Sequence, residues 1–199
     1  MLSFLLALLT WISADSPQID LAQRYVSRTA HVHVESANRF KTIVADNYQV
    51  YSEISSVSGT IKLTGLVKSF EFDWGALDQA FHSSRVDLSQ YAKFTFTGSI
   101  ENLAAIDFAR MGQQKVVVSG ILKMGGYSRK TSAQGTMTIQ PDGRLKAKAD
   151  FVIRIEEASV ATINKMMRDK LPSVMAVDVD RLGISRDIRL SLSATYRPR

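Results

Sequence analysis

Two imidazoles and a carboxylate occupy alternate positions near the N-terminus, at His31, His33 and Glu35. Side chains two residues apart are neighbours on one face of a β-strand, and such a group can bind a metal ion. Only one further histidine exists in the chain, His82, and nothing in the sequence places it beside this pair. We therefore interpret the segment as the solvated face of a strand and predict no metal site.

The sequence lacks the motifs of common enzyme classes. The absence of cysteine excludes disulfides, thiolate zinc sites and a cysteine nucleophile. No G-x-S-x-G, Walker or dinucleotide-binding glycine pattern is present, and His82-Ser83-Ser84 with Asp87 nearby is not a nucleophile motif. We predict a protein that is not an enzyme and needs no cofactor.

Length and composition indicate an ordinary globular domain. The 199 residues are 45% hydrophobic and 22% charged, which argues against a disordered chain. A chain of this size can bury a core large enough to fold without covalent staples. The formal net charge of +6 suits anionic surfaces, either nucleic acid or lipid headgroups.

The N-terminal segment has the pattern of an export signal. Leu2 to Ile12 is almost continuously apolar, but it is far shorter than the roughly 20 residues that a membrane span needs. Small residues follow at Ser13 and Ala14, and then Asp15-Ser16-Pro17. We predict that residues 1–14 are a signal peptide and that the protein is periplasmic or secreted; an uncleaved anchor and a buried helix are the alternatives.

Most of the remaining chain alternates between apolar and polar residues, as half-buried strands do. The longest such run starts at Arg144, and Val152 is its one exception. The predicted strands are residues 26–36, 48–54, 57–65, 67–73, 92–102, 114–124, 128–140, 144–157 and 185–196. Pro141-Asp142-Gly143 predicts a tight turn that joins two of them into a hairpin.

Two segments have helical spacing. Trp74, Leu77 and Phe81 share one face of a short helix. Ser159 is suited to cap a second helix, which would end before Pro172. Antiparallel strands that each have one apolar face either stack as two sheets or close on themselves, and closure removes exposed edges. We predict an all-β protein, an antiparallel lipocalin-like barrel of about eight strands with two short helices, over residues 25–197.

The basic residues of the long strand lie on its polar face. They could attract anionic headgroups at a membrane surface, but we favour a solvated outer barrel face. Nucleic-acid binding is not expected, because the aromatic residues share the aliphatic face and are not interleaved with the basic ones. The residues concerned are Arg144, Lys146, Lys148 and Arg154, together with Lys93 and Lys115.

Several motifs resemble those of the YceI-like family, exported lipocalin-like barrels associated with polyisoprenoid and other amphiphilic lipids. Tyr91, Phe96 and Gly98 match the family pattern Tyr-Pro-x-x-x-Phe-x-Gly, with Ala92 in place of the proline. A second signature, Gly-x-Leu-x-x-His-Gly-x-x-Lys, is matched by Gly120, Leu122, Gly126 and either Arg129 or Lys130, with Gly125 in place of the histidine.

The resemblance implies that an apolar tail lies inside the barrel with a polar head at its mouth. We predict that the ligand is an amphiphilic or isoprenoid lipid and that aromatic and aliphatic residues line its site. These residues are Phe70, Phe72, Phe81, Tyr91, Phe94, Phe96, Leu122, Phe151 and Ile153. The alternatives are a structural or adaptor barrel with a self-filled core and, ranked third, an enzyme of unrecognised type. Alternating aromatic residues more often form a packed core than the wall of a ligand site. The sequence does not predict the oligomeric state.

Overall fold

The computed structural model describes residues 24–37, 42–83, 87–155 and 184–199. These residues form nine β-strands and one α-helix, α1, at Gly75–His82. The strands are β1 Arg24–Ala37, β2 Thr42–Ser55, β3 Thr60–Leu66, β4 Glu71–Phe72, β5 Lys93–Ile100, β6 Gly112–Met124, β7 Tyr127–Ile139, β8 Leu145–Arg154 and β9 Asp187–Pro198. The predicted signal peptide and the predicted second helix from Ser159 lie outside the described residues. Within the described ranges, no helix is long and apolar enough to cross a membrane.

Eight of the strands close into an antiparallel barrel. Their order is β1-β9-β8-β7-β6-β5-β3-β2, and β1 pairs with β2 to complete the circle. The short β4 is an extra strand on β2. The predicted all-β barrel is therefore confirmed.

The predicted strand over residues 67–73 is wrong in extent. Val67–Ser69 forms a single 3-10 turn, and only Glu71–Phe72 pairs as a strand. The turn closes because the Phe70 N–H donates to the Val67 carbonyl at 3.2 Å, while the Val67 N–H donates to Ala92. Alternating aromatic residues over so short a segment fit either arrangement, and these backbone hydrogen bonds decide between them.

The predicted helix around Trp74 is confirmed as α1, which is held to β4 by Asp78. A carboxylate oxygen of Asp78 accepts a hydrogen bond from the backbone N–H of Phe72 at 2.9 Å. The apolar face of the helix buries Leu77 and Ala80 against Ile43 of β2. The helix therefore packs on the barrel at the start of β2.

The two ends of the barrel differ in packing. We call the end at which the β6–β7 hairpin turns, between Met124 and Tyr127, the hairpin end, and the opposite end the packed end. At the packed end the inward side chains are almost fully buried, including Met137, Leu145 and Tyr196. Towards the hairpin end, the inward residues of β6 and β7 are only half-buried. Space inside the barrel is therefore expected towards the hairpin end.

One ladder of the barrel is much shorter than its neighbours. β6 and β7 pair along their full length, whereas the ladder between β7 and β8 runs only from Ile139↔Leu145 to Gln134↔Asp150. Beyond Gln134 the first half of β7 continues without a β8 partner. We call this part of the wall, between residues 127–133 of β7 and residues 151–154 of β8, the seam.

Candidate functional site

The barrel encloses an apolar cavity of about 80 Å³. All eight barrel strands contribute to its wall, and nearly all of the side chains are aliphatic or aromatic. The wall consists of Val32, Ile54, Ile61, Leu63, Phe96, Val116, Val118, Leu122, Thr131, Ala133, Met137, Ala147, Lys148, Ala149, Phe151, Ser191, Leu192 and Tyr196. The one charged residue among these, Lys148, lies on the exposed face of its strand.

Phe96 lies against two glycines that face each other across β5 and β6. Gly98 pairs with Gly120, and a Cβ on either residue would come within 2.7 Å of the Phe96 ring. Only glycine leaves room for the ring over the backbone at this point. This contact gives a physical reason for the Phe-x-Gly motif and the first glycine of the second signature.

Phe94 makes the same kind of contact two residues nearer the hairpin end of β5. Gly65 of β3 is its cross-strand partner, and a Cβ at residue 65 would lie 2.3 Å from the Phe94 ring. Phe70 also packs against Phe94, with ring centroids 5.5 Å apart. These two phenylalanines belong to the core beside the cavity and are not among the residues that line it.

The nine residues predicted from the sequence fall into separate places. Phe96, Leu122 and Phe151 line the cavity, and Ile153 is buried in β8. Phe72 of β4 packs against Phe81 of α1 with ring centroids 4.9 Å apart. Tyr91 is exposed and lies against Gly125, where a Cβ would be 2.6 Å from its ring. The structure thus brings three of the nine together at the cavity, and their role in binding stays a prediction.

Polar groups gather at the hairpin end of β7. Arg129 is on the same face of β7 as Thr131 and Ala133, both of which line the cavity. The buried hydroxyl of Tyr127, on the same face, has no hydrogen-bond partner among the described residues. Arg129 and Lys130 were both possible matches to the family lysine, and Lys130 lies on the exposed face.

A second group of side chains that could bind an ion or carry a proton lies on the outer face of the barrel. Asp46 of β2 is directly opposite His33 of β1. One carboxylate oxygen, Oδ1, lies 2.5 Å from His31 Nε2 and 2.7 Å from His33 Nδ1. The hydrogen bond to Asp46 raises the pKa of His33 against the opposing effect of partial burial. Partial burial acts to raise the pKa of Asp46, but hydrogen bonds from His33 and His31 outweigh it and lower that pKa.

Sequence reasoning missed Asp46 as the partner of the two histidines. The predicted strand began at residue 48, so Asp46 was not assigned to any strand. Its position depends on the β1–β2 register, which the alternation of each strand alone does not fix. The only signal for Asp46 in the sequence is the apolar segment Ile43–Ala45, which could have extended the predicted strand 48–54 towards the N-terminus. Its alternation is weak.

The chain matches no protein-family model and no curated protein. Among solved structures it is similar to a polyisoprenoid-binding domain from Saccharophagus degradans implicated in plant cell wall breakdown. That likeness has 14% identity, covers 89% of this chain and 99% of the other, and has a TM-score of 0.68. BcnA of Burkholderia cenocepacia is 15% identical over 84% of this chain and 96% of its own, with a TM-score of 0.54.

The YCEI protein of Campylobacter jejuni is also similar, at 14% identity over 82% of this chain and 87% of its own, with a TM-score of 0.45. At these identities the likeness concerns the architecture. This chain has the barrel fold of the Saccharophagus polyisoprenoid-binding domain.

Proposed function

We propose that this protein is an exported carrier that holds the apolar chain of an amphiphilic or isoprenoid lipid inside the barrel, without catalysis. The observation that carries the proposal is the interior cavity, whose wall is apolar on all eight strands. Each methylene group moved from water into such a cavity contributes about 0.8 kcal/mol, so a chain is held without specific hydrogen bonds.

The size of the cavity limits what enters without rearrangement. Its volume of about 80 Å³ is below the roughly 300–1,000 Å³ of ordinary ligand pockets. A long chain therefore needs lining side chains to move, and Leu122 and Phe151 are large lining groups that could do so. The barrel accepts the end of a chain first and widens as more methylenes follow.

The seam between β7 and β8 is the proposed way in. Thr131 and Ala133 on one side of it and Phe151 on the other all line the cavity. Because the ladder ends at Gln134↔Asp150, widening the barrel there breaks no β7–β8 hydrogen bonds. A chain entering through the seam would reach the apolar wall directly.

A polar and anionic head suits the hairpin end. Arg129 supplies a guanidinium group on the inward face of β7. Guanidinium groups bind phosphate and carboxylate through paired hydrogen bonds. The hydroxyl of Tyr127, which has no hydrogen-bond partner in the part of the chain that the structure describes, adds a donor two residues away. The proposed ligand is therefore an anionic amphiphile with one apolar tail.

Two further points support the proposal. A structural neighbour with a TM-score of 0.68 is described as a polyisoprenoid-binding domain. We propose export because residues 1–14 have the apolar length and small residues of a signal peptide. A periplasmic or secreted carrier would protect a chain that water excludes.

A second candidate function is a structural or adaptor barrel that acts through its surface. The small volume of the cavity favours it, because a core filled by its own side chains leaves little space. Native mass spectrometry of the protein purified from its own host separates the two. A co-purifying lipid supports the carrier, whereas an empty barrel that takes up no added farnesol or farnesyl phosphate supports the adaptor.

A further inference from the structure

Three potential metal ligands converge on the outer face of the barrel, away from the cavity. One nitrogen from each of His31 and His33 and one carboxylate oxygen from Asp46 all lie within 4.8 Å of one another. In a tetrahedral zinc site, Zn–N and Zn–O bonds of about 2.0–2.1 Å place the ligand atoms roughly 3.4 Å apart. Small side-chain rotations therefore suffice to admit an ion between them.

The fold positions these residues before any ion binds. His31 and His33 are two residues apart on β1 and share its outer face, while Val32 between them lines the cavity. Asp46 is the cross-strand partner of His33. The side chains of His31, His33 and Asp46 are 29%, 29% and 26% exposed. An ion can therefore reach them, while the surrounding protein covers most of each side chain.

The His31 ring stacks on Tyr48 beside an irregularity in the β1–β2 register. The β1–β2 register shifts between Ala30 and Val32, where fully buried Asn47 accepts a hydrogen bond from the Gln49 N–H and donates one to the Leu66 carbonyl. Tyr48 follows Asn47 on the outer face and stacks on His31 with ring centroids 4.3 Å apart and an interplanar angle of 9°. This stacking leaves His31 Nε2 directed at Asp46.

Glu35 provides the outer-shell contact that metal-binding histidines usually have. Its Oε1 lies 3.2 Å from His33 Nε2, the ring nitrogen that does not face Asp46. A histidine that ligates a metal through one nitrogen typically donates its other N–H to a carboxylate, which fixes the tautomer and orients the ring. Here the second carboxylate is already in that position.

We propose that His31, His33 and Asp46 form a binding site for one late first-row divalent cation, for which Zn²⁺ is the probe. Two imidazole nitrogens and one carboxylate oxygen suit Zn²⁺ or Cu²⁺ and not Mg²⁺ or Ca²⁺, which prefer oxygen ligands throughout. Three protein ligands leave a fourth position for water or an external ligand. His33 and Glu35 also border a surface depression of about 310 Å³, so the site is open to solvent.

Isothermal titration calorimetry of the untagged full chain with ZnCl₂ tests the proposal. We expect one Zn²⁺ per chain for the wild type and no saturable heat with MgCl₂. His33→Ala and Asp46→Asn should each abolish this binding. Glu35→Gln should weaken it by about tenfold, because an outer-shell partner typically changes metal affinity by about 10–100-fold. His82→Ala is the matched control and should bind as the wild type does.

Absence of saturable Zn²⁺ binding to the wild type would overturn the proposal, as would a loss in His82→Ala equal to that in His33→Ala. Nuclear magnetic resonance of the wild type gives a second measurement that needs no variant to fold. On addition of Zn²⁺, the ring resonances of His31 and His33 should shift while those of His82 stay unchanged. Equal shifts of all three histidines would contradict a specific site. Because the site lies outside the cavity, neither result bears on lipid binding.

Discussion

The hydroxyl groups of Tyr196 and Ser52 lie 2.8 Å apart inside the packed end of the barrel. Tyr196 is on β9 and Ser52 on β2, two strands separated in the barrel by β1. Ser52 also donates its single hydroxyl hydrogen to the Lys62 carbonyl, so the Tyr196 hydroxyl is the donor between the two. The phenol is 1% exposed and its residue lines the cavity.

Stability should fall at high pH through Tyr196. Burial raises the pKa of Tyr196 to about 12 from the ordinary value of 10.0. Between these values the unfolded chain loses the phenolic proton while the folded chain keeps it, so stability decreases as pH rises. The contribution is present below pH 10 and is lost as the pH rises through 12, and a shift of about two pKa units corresponds to roughly 2–3 kcal/mol.

Urea unfolding of the wild type and Tyr196→Phe across this pH range measures the effect. The other tyrosines and the lysines titrate in both proteins, so they cancel in the difference. The stability advantage of the wild type should shrink as pH rises. A difference independent of pH would show that Tyr196 ionises as readily in the folded protein as in the unfolded chain.

The Gly98–Gly120 pair should be intolerant of any side chain. A Cβ at residue 120 would lie 2.6 Å from the Phe96 ring and 2.5 Å from the Thr97 carbonyl oxygen, so the ring and the strand would both have to move. We expect Gly120→Ala to lower the free energy of unfolding by about 1–3 kcal/mol, as overpacking does. Denaturant unfolding measures the change.

Gly126→Ala is the matched control, because an added Cβ there meets nothing within 4 Å. This turn position lies six residues from Gly120 and should change stability by less than about 0.5 kcal/mol. Equal losses in the two variants would mean that the contact with Phe96 does not set the requirement for glycine.

The barrel could be predicted from the sequence because alternation is a local signal. In β8, for example, Lys146 and Lys148 are exposed while Leu145 and Ala147 point inward, as the residue types require. Phe70 and Phe94 show what was not predictable. Their types mark them as inward-facing, but whether a ring lines a cavity or packs on another ring depends on cross-strand neighbours such as Gly65. The contact of Asp46 with His31 and His33 depends on strand register in the same way.

Arg129 should distinguish charged from neutral ligands. Arg129→Gln should weaken binding of farnesyl phosphate by about tenfold or more, since a hydrogen bond to a charged group contributes about 1.5–3 kcal/mol. Binding of farnesol should be unaffected because it carries no charge. Competition against a fluorescent fatty acid gives both affinities.

Lys130→Gln removes the same charge from the exposed face of β7 and should leave both affinities as they are in the wild type. An equal loss in Lys130→Gln would indicate that general attraction between the basic protein and the phosphate, and not a contact at the hairpin end, governs the affinity.

Closing the seam should slow ligand entry. The chain has no cysteine, so a pair can be introduced without interference. In Ser132→Cys/Val152→Cys, a short bismaleimide reagent would join β7 to β8 beyond the end of their ladder at Gln134↔Asp150. Stopped-flow uptake of a fluorescent fatty acid should become about tenfold slower or more, as for a step that needs separation of the strands.

Thr136→Cys/Lys148→Cys joins the same strands at an existing ladder pair and should not alter the rate after cross-linking. If the seam cross-link left uptake as fast as in this control, the ligand would have to enter at another part of the barrel.

Filling the cavity tests most directly whether the barrel interior is the ligand site. Ala133 lines the cavity, whereas its neighbour Gln134 is exposed on the outer face of β7. After incubation with farnesyl phosphate, native mass spectrometry should detect one ligand per chain for the wild type and for Gln134→Phe, and none for folded Ala133→Phe. Binding to Ala133→Phe as complete as to the wild type, or no binding to the wild type, would contradict a carrier that holds its ligand inside the barrel.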